Sequence, residues 1–556
     1  MSKFRVPKLS QKALGLLIFL AGMLPVLYHC GSTGLFETSE GRYASVARQM
    51  LDSGDWLTPR HNGLRHFTKP PVTYWLGAAG MKIFGVNEFG ARFFLSIAAG
   101  ATALATWYLG KLLFCKVTGL MAALVLISSI YFQVLFRGLT TDPFLALFET
   151  LMALAFFSYL NKQKKRWYIT FWLATSAAMM TKGPPGLLPL AGLIPAALLT
   201  GYKSKLKALF GSIVGWAIFI IFGLGWYLLV AVMNPGLLSY FVIEETINRV
   251  ASDTHQRSAP FYYFLVLLPV AIFPWSGYLL LALKEQISKF RKSRSATFLL
   301  LWIGVPLLIF SLSRSKLASY TLPLLIPLAL LTAQALRKTL LKAKQTDSEY
   351  KFGYFKAIAV IVGLSGLGMI IAGYQYYEEF NSIAKIAIFS GVFWIFSAAF
   401  LGWFVAMRHR IGVLAVSCLL LPGLMFFVLP GLKGNEAYSR NRYLTSQWML
   451  LKRIATLPTN QKIICIDKMI EGWYFYTGRS VITWNVERKT GFDKETAAAL
   501  VLNGDDALRK AVDSDTILVL QEKACARVEA TLDCELEIIT GEGNWRVVIP
   551  IRKTGR

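Results

Sequence analysis

The chain has 556 residues, of which 55% are hydrophobic and 16% charged, and its mean hydropathy is +0.49. This composition excludes an ordinary soluble protein, in which about a quarter of the residues are charged, and indicates many membrane spans. The net charge is +28, but the lysines and arginines lie in short clusters between apolar runs, as in the cytoplasmic loops of membrane proteins. We therefore expect no nucleic-acid partner.

Thirteen apolar runs are about long enough to cross a bilayer, whose hydrocarbon core is roughly 30 Å thick. The first, residues 13–28, follows a basic N-terminus but shows no clear small-residue cleavage site. We interpret it as a membrane helix rather than a signal peptide. The other runs begin near Phe93, Val117, Pro143, Trp167, Pro185, Leu209, Tyr262, Ala296, Tyr320, Phe355, Ile386 and Ile411.

The positive-inside rule gives these runs an orientation. With the N-terminus in the cytoplasm, the short basic loops, such as residues 161–166 and 284–294, all lie on the cytoplasmic side. The opposite side receives the polar stretch 31–92, the loops 137–142, 181–184, 234–261, 311–319 and 375–385, and everything after residue 430. All candidate site residues lie on that second, extracytoplasmic side.

The chain changes character after residue 430, where short alternating strands such as residues 463–466 and 516–520 replace the long apolar runs. We predict a transmembrane catalytic domain over residues 1–430 and a soluble α/β domain over residues 431–556, which is large enough to bury its own core. The second domain has no Gly-rich phosphate loop and no nucleophile elbow, so nothing in it indicates catalysis.

The polar stretch 31–92 contains the first candidate site residues. A helix beginning near Ser39 would carry Tyr43 on its apolar face. Glu40 then either complements the helix N-terminus or has a catalytic role. Arg42 favours phosphate binding, because a guanidinium holds a phosphate with two hydrogen bonds.

Three further residues lie at the mouths of spans. Lys69 precedes two prolines that stiffen its segment, although a lysine here could also snorkel to the membrane interface. Asp142 precedes a proline and can cap a helix, which is compatible with a catalytic role. Lys182 lies at a Gly-Pro break, where it can snorkel or meet an anionic headgroup.

Two more extracytoplasmic segments carry polar side chains. The loop 234–261 holds His255 and Arg257 among several acids, as a plain solvated loop also would. His255 alone is a weak metal candidate, since a site needs about three protein ligands. Lys316 and Tyr320 add a cation and a phenol on the same side.

The order and common membrane side of these motifs resemble the membrane glycosyltransferases with the C-type fold, which take sugars from polyprenyl-phosphate donors. This family includes the aminoarabinose transferases that modify lipid A and the protein O-mannosyltransferases. The resemblance covers roughly residues 35–324. The matching motifs are Glu40-Gly41-Arg42-Tyr43-Ala44 with Ala47-Arg48, Ser53-Gly54-Asp55-Trp56, Phe67-Thr68-Lys69-Pro70, Gly85-Val86-Asn87, Asp142-Pro143-Phe144, Met180-Thr181-Lys182-Gly183, His255-Gln256-Arg257 with Ala259-Pro260-Phe261, and Lys316-Leu317 with Tyr320.

The resemblance implies a role for most of the candidate residues. Arg42, Lys69 and Lys182 would help to hold the donor phosphate. Asp142 would belong to the catalytic cavity, with Glu40 as the second candidate for the catalytic carboxylate. The residues expected to line the substrate cavity are Ser39, Tyr43, His255, Arg257, Lys316 and Tyr320.

The chain departs from the family pattern at two positions. Ser39 stands where the family has an Asp credited with activating the acceptor, so Glu40 or Asp142 must act as the base, or the acceptor is already ionised, as a phosphate is. Thr68 stands where the family often has a Glu proposed as a metal ligand. A divalent metal is therefore left open, and no other cofactor is expected.

We predict an integral membrane glycosyltransferase of the bacterial inner membrane, acting as a monomer with its site and C-terminal domain outside the cytoplasm. It would move a sugar, such as an aminopentose, from undecaprenyl phosphate to lipid A, another glycolipid or a protein. One alternative is a transporter or flippase for lipid-linked sugars, which should show internal repeats and charges near the bilayer midplane. Another is a non-catalytic lipid-binding scaffold, which the Ser39 substitution favours.

Overall fold

The computed structural model describes residues 10–248, 258–342, 348–377, 381–431, 448–458, 460–486 and 492–552. The chain divides into two compact units, one formed by residues 1–30 and 94–431, the other by residues 31–93 and 432–556. The predicted domain boundary at residue 430 stays a prediction. In the structure, residues 31–93 group with the C-terminal part of the chain. His255 and Arg257 lie outside the described residues.

The first unit is helical throughout its described part. Its α-helices are Gln11–Leu27, most of Glu88–Leu113, Lys116–Ile127, Ile130–Leu135, Thr141–Lys162, Lys165–Lys182, Leu188–Leu199, Lys203–Phe210, Ile213–Phe219, Gly225–Met233, Leu237–Ser239, Tyr263–Ala271, Ser276–Ile287, Arg294–Leu312, Leu325–Lys342, Ser348–Gln375, Asn381–Ala406 and Arg410–Gly431. The 3₁₀ segments are Pro184–Leu187 and Ala318–Leu324, and the π-helical segments are Ile220–Leu224 and Tyr240–Asn248.

Fewer helices are long and apolar enough to span a membrane than the thirteen predicted. Among the described residues, eight helices are long and apolar enough to cross a membrane, or nine if Tyr263–Ala271 and Ser276–Ile287, bent by 118°, form one span. Three predicted runs form shorter apolar helices, and another lies on Lys165–Lys182, which carries three basic residues. The helical, multi-pass character is thus confirmed, while the count of thirteen is supported only in part.

Small residues let helices of the first unit approach closely. A Cβ atom at Gly22 would lie 2.9 Å from the Cβ of Ala103 and 3.1 Å from the carbonyl oxygen of Ala99. The Gln11–Leu27 helix therefore packs with its backbone against Glu88–Leu113, as expected where association depends on van der Waals contact rather than on the hydrophobic effect.

The second unit begins with residues 31–93. It contains the helices Ser39–Ser53 and Val72–Phe84, the first turns of Glu88–Leu113, and a short antiparallel pair of strands, Arg60–His61 and Leu64–Arg65. Asn62, in the turn between these strands, exchanges two hydrogen bonds with the backbone of Val481, at 2.8 Å and 2.7 Å. This segment is therefore joined to the C-terminal part through the side-chain amide of Asn62.

The C-terminal part of this unit is an α/β fold. Its six-stranded sheet has the spatial order Val501–Leu502, Ile482–Trp484, Ile463–Ile466, Ile517–Gln521, Trp545–Arg552, Cys534–Glu542. The first four strands are parallel and the last two join antiparallel. The helices are Trp448–Ile454, Trp473–Thr477, Lys494–Leu500, Asp505–Ala511 and Cys525–Leu532.

The sheet buries side chains on both faces. Cys465 and Val519 point to one face, where Trp473 covers them. Ile464 and Leu518 point to the opposite face, where they pack against the helices Asp505–Ala511 and Cys525–Leu532. This alternation is the two-residue period of β-strands, and both strands predicted from the sequence lie at the centre of the sheet.

Candidate active site

In the first unit, Asp142 and Lys182 form an ion pair. Asp142 is the second residue of the Thr141–Lys162 helix and is 5% exposed, while Lys182 ends the Lys165–Lys182 helix. The two helices pack side by side, so the start of one meets the end of the other. An acid at a helix N-terminus and a base at a C-terminus are both favoured by the helix dipoles.

Tyr320 completes this cluster. The Lys182 ammonium lies 4.5 Å from the centroid of the Tyr320 ring, which belongs to the 3₁₀ segment Ala318–Leu324. A cation over an aromatic face is attracted to it. Lys316 precedes Tyr320 in the chain and is also buried. Its ammonium donates a 2.5 Å hydrogen bond to the carbonyl of Ser313 in its own loop. The structure thus joins three predicted site residues: Asp142, Lys182 and Tyr320.

Glu149, which the sequence analysis missed, belongs to the same cluster. It lies two helical turns after Asp142 on the same face of the Thr141–Lys162 helix. It is 5% exposed and interacts electrostatically with both Lys182 and Asp142. The available signal was an acid in the middle of an apolar run, which is costly in a membrane unless it serves a purpose.

In the second unit, Glu40 is held in a buried ion pair. Its Oε1 accepts a 3.0 Å hydrogen bond from Arg92 Nε, and its Oε2 accepts from Arg92 Nη2 at 2.6 Å and from the backbone N–H of Phe36 at 2.8 Å. Arg92 also donates to the carbonyls of Thr33 and Gly34. Both oxygens of Glu40 are occupied, an arrangement that suits a structural role better than that of a base.

Arg42 faces Glu471 of the C-terminal part of the same unit. Its Nε and Nη2 donate to the two carboxylate oxygens at 3.0 Å and 2.9 Å, and His61 Nε2 lies 3.3 Å from Glu471 Oε2. Burial lowers the pKa of Arg42, but the Glu471 carboxylate outweighs it, so the pKa is raised above its ordinary value. The Arg42 guanidinium is therefore charged and binds the Glu471 carboxylate through two hydrogen bonds. A guanidinium binds a phosphate in the same way.

The other predicted residues of this unit lie along the same segment. The Lys69 ammonium donates a 2.7 Å hydrogen bond to the carbonyl of Thr68. The Tyr43 ring lies 5.5 Å from the Tyr74 ring. Ser39 is exposed and starts its helix after Thr38, which makes no side-chain capping bond.

The described residues include no group of three or more His, Cys, Asp or Glu side chains that could hold a metal ion. Thr68, at the position where relatives place a proposed metal ligand, lies with its Oγ1 2.7 Å from His66 Nε2.

Comparison with known proteins agrees with this architecture. Residues 68–227 match the family model described as dolichyl-phosphate-mannose-protein mannosyltransferase. An undecaprenyl phosphate-α-4-amino-4-deoxy-L-arabinose arabinosyl transferase of Yersinia enterocolitica is 31% identical over 393 residues, which are 68% of this chain and 69% of that protein. The chain belongs to this arabinosyl transferase family.

A second relative and a solved structure are also similar to this chain. One from Pseudomonas fluorescens is 33% identical over 379 residues, 67% of this chain and 68% of its own length. The crystal structure of ArnT from Cupriavidus metallidurans bound to undecaprenyl phosphate superposes with a TM-score of 0.81 at 21% identity, over 97% of this chain and 98% of that one. The C-type fold predicted from the motifs is thereby confirmed.

The predicted enzyme class is confirmed as well. The chain is a multi-pass membrane glycosyltransferase that depends on a lipid-phosphate sugar donor. The relatives carry the names of transferases, so they favour neither the transporter nor the non-catalytic scaffold. The individual site residues stay predictions, now with the contacts described above.

Proposed function

We propose that this protein transfers 4-amino-4-deoxy-L-arabinose from undecaprenyl phosphate to a phosphate group of lipid A, at the extracytoplasmic face of the bacterial inner membrane. The names of its relatives support the sugar and the carrier, and so does the carrier bound to its structural neighbour. The observation that carries the proposal within this chain is the ion pair between the buried Asp142 and the half-buried Lys182 at adjoining helix ends.

The transfer needs side chains that position the two substrates and stabilise the charge that develops on the carrier phosphate. An acceptor oxygen bonds to the anomeric carbon, and the bond from that carbon to the carrier phosphate breaks, with its electron pair leaving on the phosphate. Lys182 is suited to meet the negative charge that develops there. Asp142, released from Lys182 when the phosphate takes its place, is suited to accept the acceptor proton if the acceptor still carries one.

Asp142 is the better candidate for the base because the other carboxylate is engaged. Glu40 is buried and bonded through both oxygens to Arg92 and Phe36. Ser39, in place of the usual acid, is exposed and bears no charge. A phosphate acceptor fits this site, since a phosphate that still carries one proton near neutral pH can pass it to a weak base such as Asp142, and would be repelled by a further anion.

The orientation rests on the basic loops. We place thirteen crossings in the membrane, counting the shorter helices and the bent pair as spans, so that the α/β part lies outside the cytoplasm. Residues 31–93 pack into the same unit as the α/β part, which fits a common location for both. A monomer suffices for every contact described above.

The direct test incubates the purified full chain with undecaprenyl phosphate-aminoarabinose and lipid A, and follows the product by mass spectrometry. We expect lipid A to gain an aminopentose on a phosphate, and Asp142→Asn to lose about 10²- to 10⁴-fold in turnover. Lipid A without phosphates is the control acceptor. Transfer only from a different sugar donor, or transfer to the dephosphorylated lipid, would overturn the assigned sugar or acceptor, and a fully active Asp142→Asn would overturn the assigned base.

A further inference from the structure

The Tyr202 ring, in the first unit, is in contact with two cations. The Lys205 ammonium and the Arg294 guanidinium each lie 5.3 Å from the centroid of this ring. Arg294 Nη1 also donates a 3.5 Å hydrogen bond to the Tyr202 hydroxyl. Tyr202 directly precedes the Lys203–Phe210 helix, and Arg294 is the first residue of the Arg294–Leu312 helix. We call these three residues the Tyr202 site.

No acid balances the two positive charges of the Tyr202 site. Residues 150–243 and 286–346 contain no Asp or Glu, and in the part of the chain that the structure describes, neither Lys205 nor Arg294 forms an ion pair with a carboxylate from elsewhere. Like charges held close together repel each other, and a cation at the first residue of a helix is disfavoured by the helix dipole. A bound anion would relieve both costs.

The polar groups of the Tyr202 site are suited to a phosphate. Lys205 is half-buried and donates a 2.6 Å hydrogen bond to the carbonyl of Leu160, near the end of the Thr141–Lys162 helix. This bond uses one of the three donors of the ammonium. Arg294 is exposed, and a guanidinium can hold a phosphate through two parallel hydrogen bonds. The Tyr202 hydroxyl can donate its own proton to a further oxygen.

The surface beside the Tyr202 site is apolar. Leu198 and Leu199 end the helix that lies just before Tyr202, and they are 50% and 49% exposed. Ile213, the first residue of the candidate span Ile213–Met233, is 83% exposed. The acyl chains of a lipid can cover such side chains, whereas a soluble phosphate cannot. Cations next to exposed apolar side chains at the ends of membrane helices are typical of a phospholipid headgroup site.

We propose that the Tyr202 site binds the phosphate of an anionic phospholipid in the cytoplasmic leaflet, with Lys205 and Arg294 on the phosphate oxygens and the acyl chains against Leu198 and Leu199. The leaflet follows from the orientation proposed above, and the site does not depend on the transfer reaction. Basic loops attract anionic lipids in general. The Tyr202 site differs from such diffuse attraction because one ring holds two cations from separate helical segments.

The purified full chain, delipidated in a neutral detergent, tests this inference with three probes. These are phosphatidylglycerol, phosphatidylcholine and inorganic phosphate. Native mass spectrometry counts the lipids that stay bound, and thermal unfolding detects the stabilisation that a bound ligand provides. We expect phosphatidylglycerol to stay bound and to raise the unfolding temperature. Phosphatidylcholine, whose headgroup has no net charge, and inorganic phosphate, which has no acyl chains, should do neither.

Charge-matched variants separate a specific site from diffuse attraction. Arg294→Gln removes one exposed cation and should weaken the binding of phosphatidylglycerol roughly tenfold, because a charge-assisted contact is lost. Tyr202→Leu should weaken it as well, since it removes the ring that holds both cations. Lys207→Gln is the matched control, because it removes one exposed cation of the Lys203–Phe210 helix and should bind phosphatidylglycerol as the wild type does.

Three outcomes would overturn the inference. Equal weakening by Arg294→Gln and Lys207→Gln, or wild-type binding in both Arg294→Gln and Tyr202→Leu, would replace the site by diffuse attraction. Equal retention of phosphatidylcholine would remove the requirement for an anionic headgroup. Stabilisation by inorganic phosphate as large as that by phosphatidylglycerol would indicate a soluble phosphate ligand. These measurements do not involve turnover, so their failure is distinct from a failure of the proposed function.

Discussion

Arg92 donates two hydrogen bonds to the carboxylate of Glu40, and the side chains of the two residues are 3% and 2% exposed. Removing one partner of such a pair leaves an uncompensated buried charge, at a cost of about 3–5 kcal/mol. We expect Glu40→Gln to lower the unfolding temperature while the folded fraction keeps most of its turnover. Thermal unfolding and specific activity of the same preparations check this.

The double variant Glu40→Gln, Arg92→Met is the control for this prediction. It removes both charges, so it should be more stable than Glu40→Gln alone. Wild-type stability combined with lost turnover in Glu40→Gln would return Glu40 to the catalytic role suggested by its motif.

Arg42 and Glu471 give a prediction about donor binding. Glu471 occupies the guanidinium of Arg42 in the way a phosphate would. Arg42→Ala should raise the donor KM roughly tenfold to a hundredfold, because it removes a charge-assisted hydrogen bond that contributes about 1.5–3 kcal/mol. Glu471→Gln should lower that KM, because the competing carboxylate is gone.

Arg48→Ala is a suitable comparison for Arg42→Ala. Arg48 lies on the same helix and donates to the carbonyl of Phe475 at 2.7 Å, so its loss should leave the donor KM unchanged. Lys69→Ala should behave as Arg42→Ala. An unchanged KM in both Arg42→Ala and Lys69→Ala would contradict their assignment to the donor phosphate.

Ser39→Asp tests the nature of the acceptor. The added carboxylate restores the family pattern at an exposed position. With a phosphate acceptor, we expect turnover to fall, because the new anion repels the substrate. Retained or raised turnover would indicate a neutral hydroxyl acceptor, and Ser39→Asn, which adds similar bulk without charge, separates repulsion from crowding.

Tyr476 connects stability to pH. Its hydroxyl accepts a 3.0 Å hydrogen bond from the backbone N–H of Leu35, and burial raises the pKa of its phenol well above the ordinary value. A pKa raised by folding contributes stability below the unfolded value of about 10 and loses it as the pH rises further. Tyr476→Phe should cost about 1–3 kcal/mol near neutral pH.

The same variant should show a shallower loss of stability above about pH 10, since it lacks this titration. Chemical unfolding at neutral and alkaline pH measures both effects. Tyr374→Phe, at an 83% exposed position, should match the wild type. An equal alkaline loss in Tyr476→Phe and the wild type would refute the assignment.

Reporter fusions test the orientation. A reporter placed after Arg166 or Arg294 should read as cytoplasmic, and one placed after Arg556 as extracytoplasmic, because the basic loops alternate in that register. A cytoplasmic C-terminus would contradict the count of thirteen crossings and the common side of the site residues.

Hydropathy was sufficient to predict the helical runs, but not their interruptions. The run beginning near Val117 was predicted as one span, and the structure ends a helix at Ile127 and starts another at Ile130. Ser128 and Ser129 lie in this break and donate to the carbonyls of Leu124 and Leu126. Hydroxyls that compete for backbone acceptors in this way can break a helix without changing the apolar character of its run.

Contacts between distant site residues could be predicted only where the order of the motifs placed those residues in one site. Asp142, Lys182 and Tyr320 were assigned to one site, and they meet. Glu40 and Arg42 were assigned correctly to one helix, but their partners Arg92 and Glu471 lie 52 and 429 residues away. Local pattern carries no information on which distant charge a side chain will meet.

The distance of 429 residues between Arg42 and Glu471 also sets an order of events during biosynthesis. At about 5–20 residues per second, the ribosome needs roughly 20–90 s after making the first loop before it reaches Glu471. During that time, Arg42, Arg48 and Asn62 lack the C-terminal groups that they contact in the finished protein. The helix that carries the predicted donor-binding arginine therefore gains these contacts only after the C-terminal part is made, so a chain released prematurely from the ribosome would lack them.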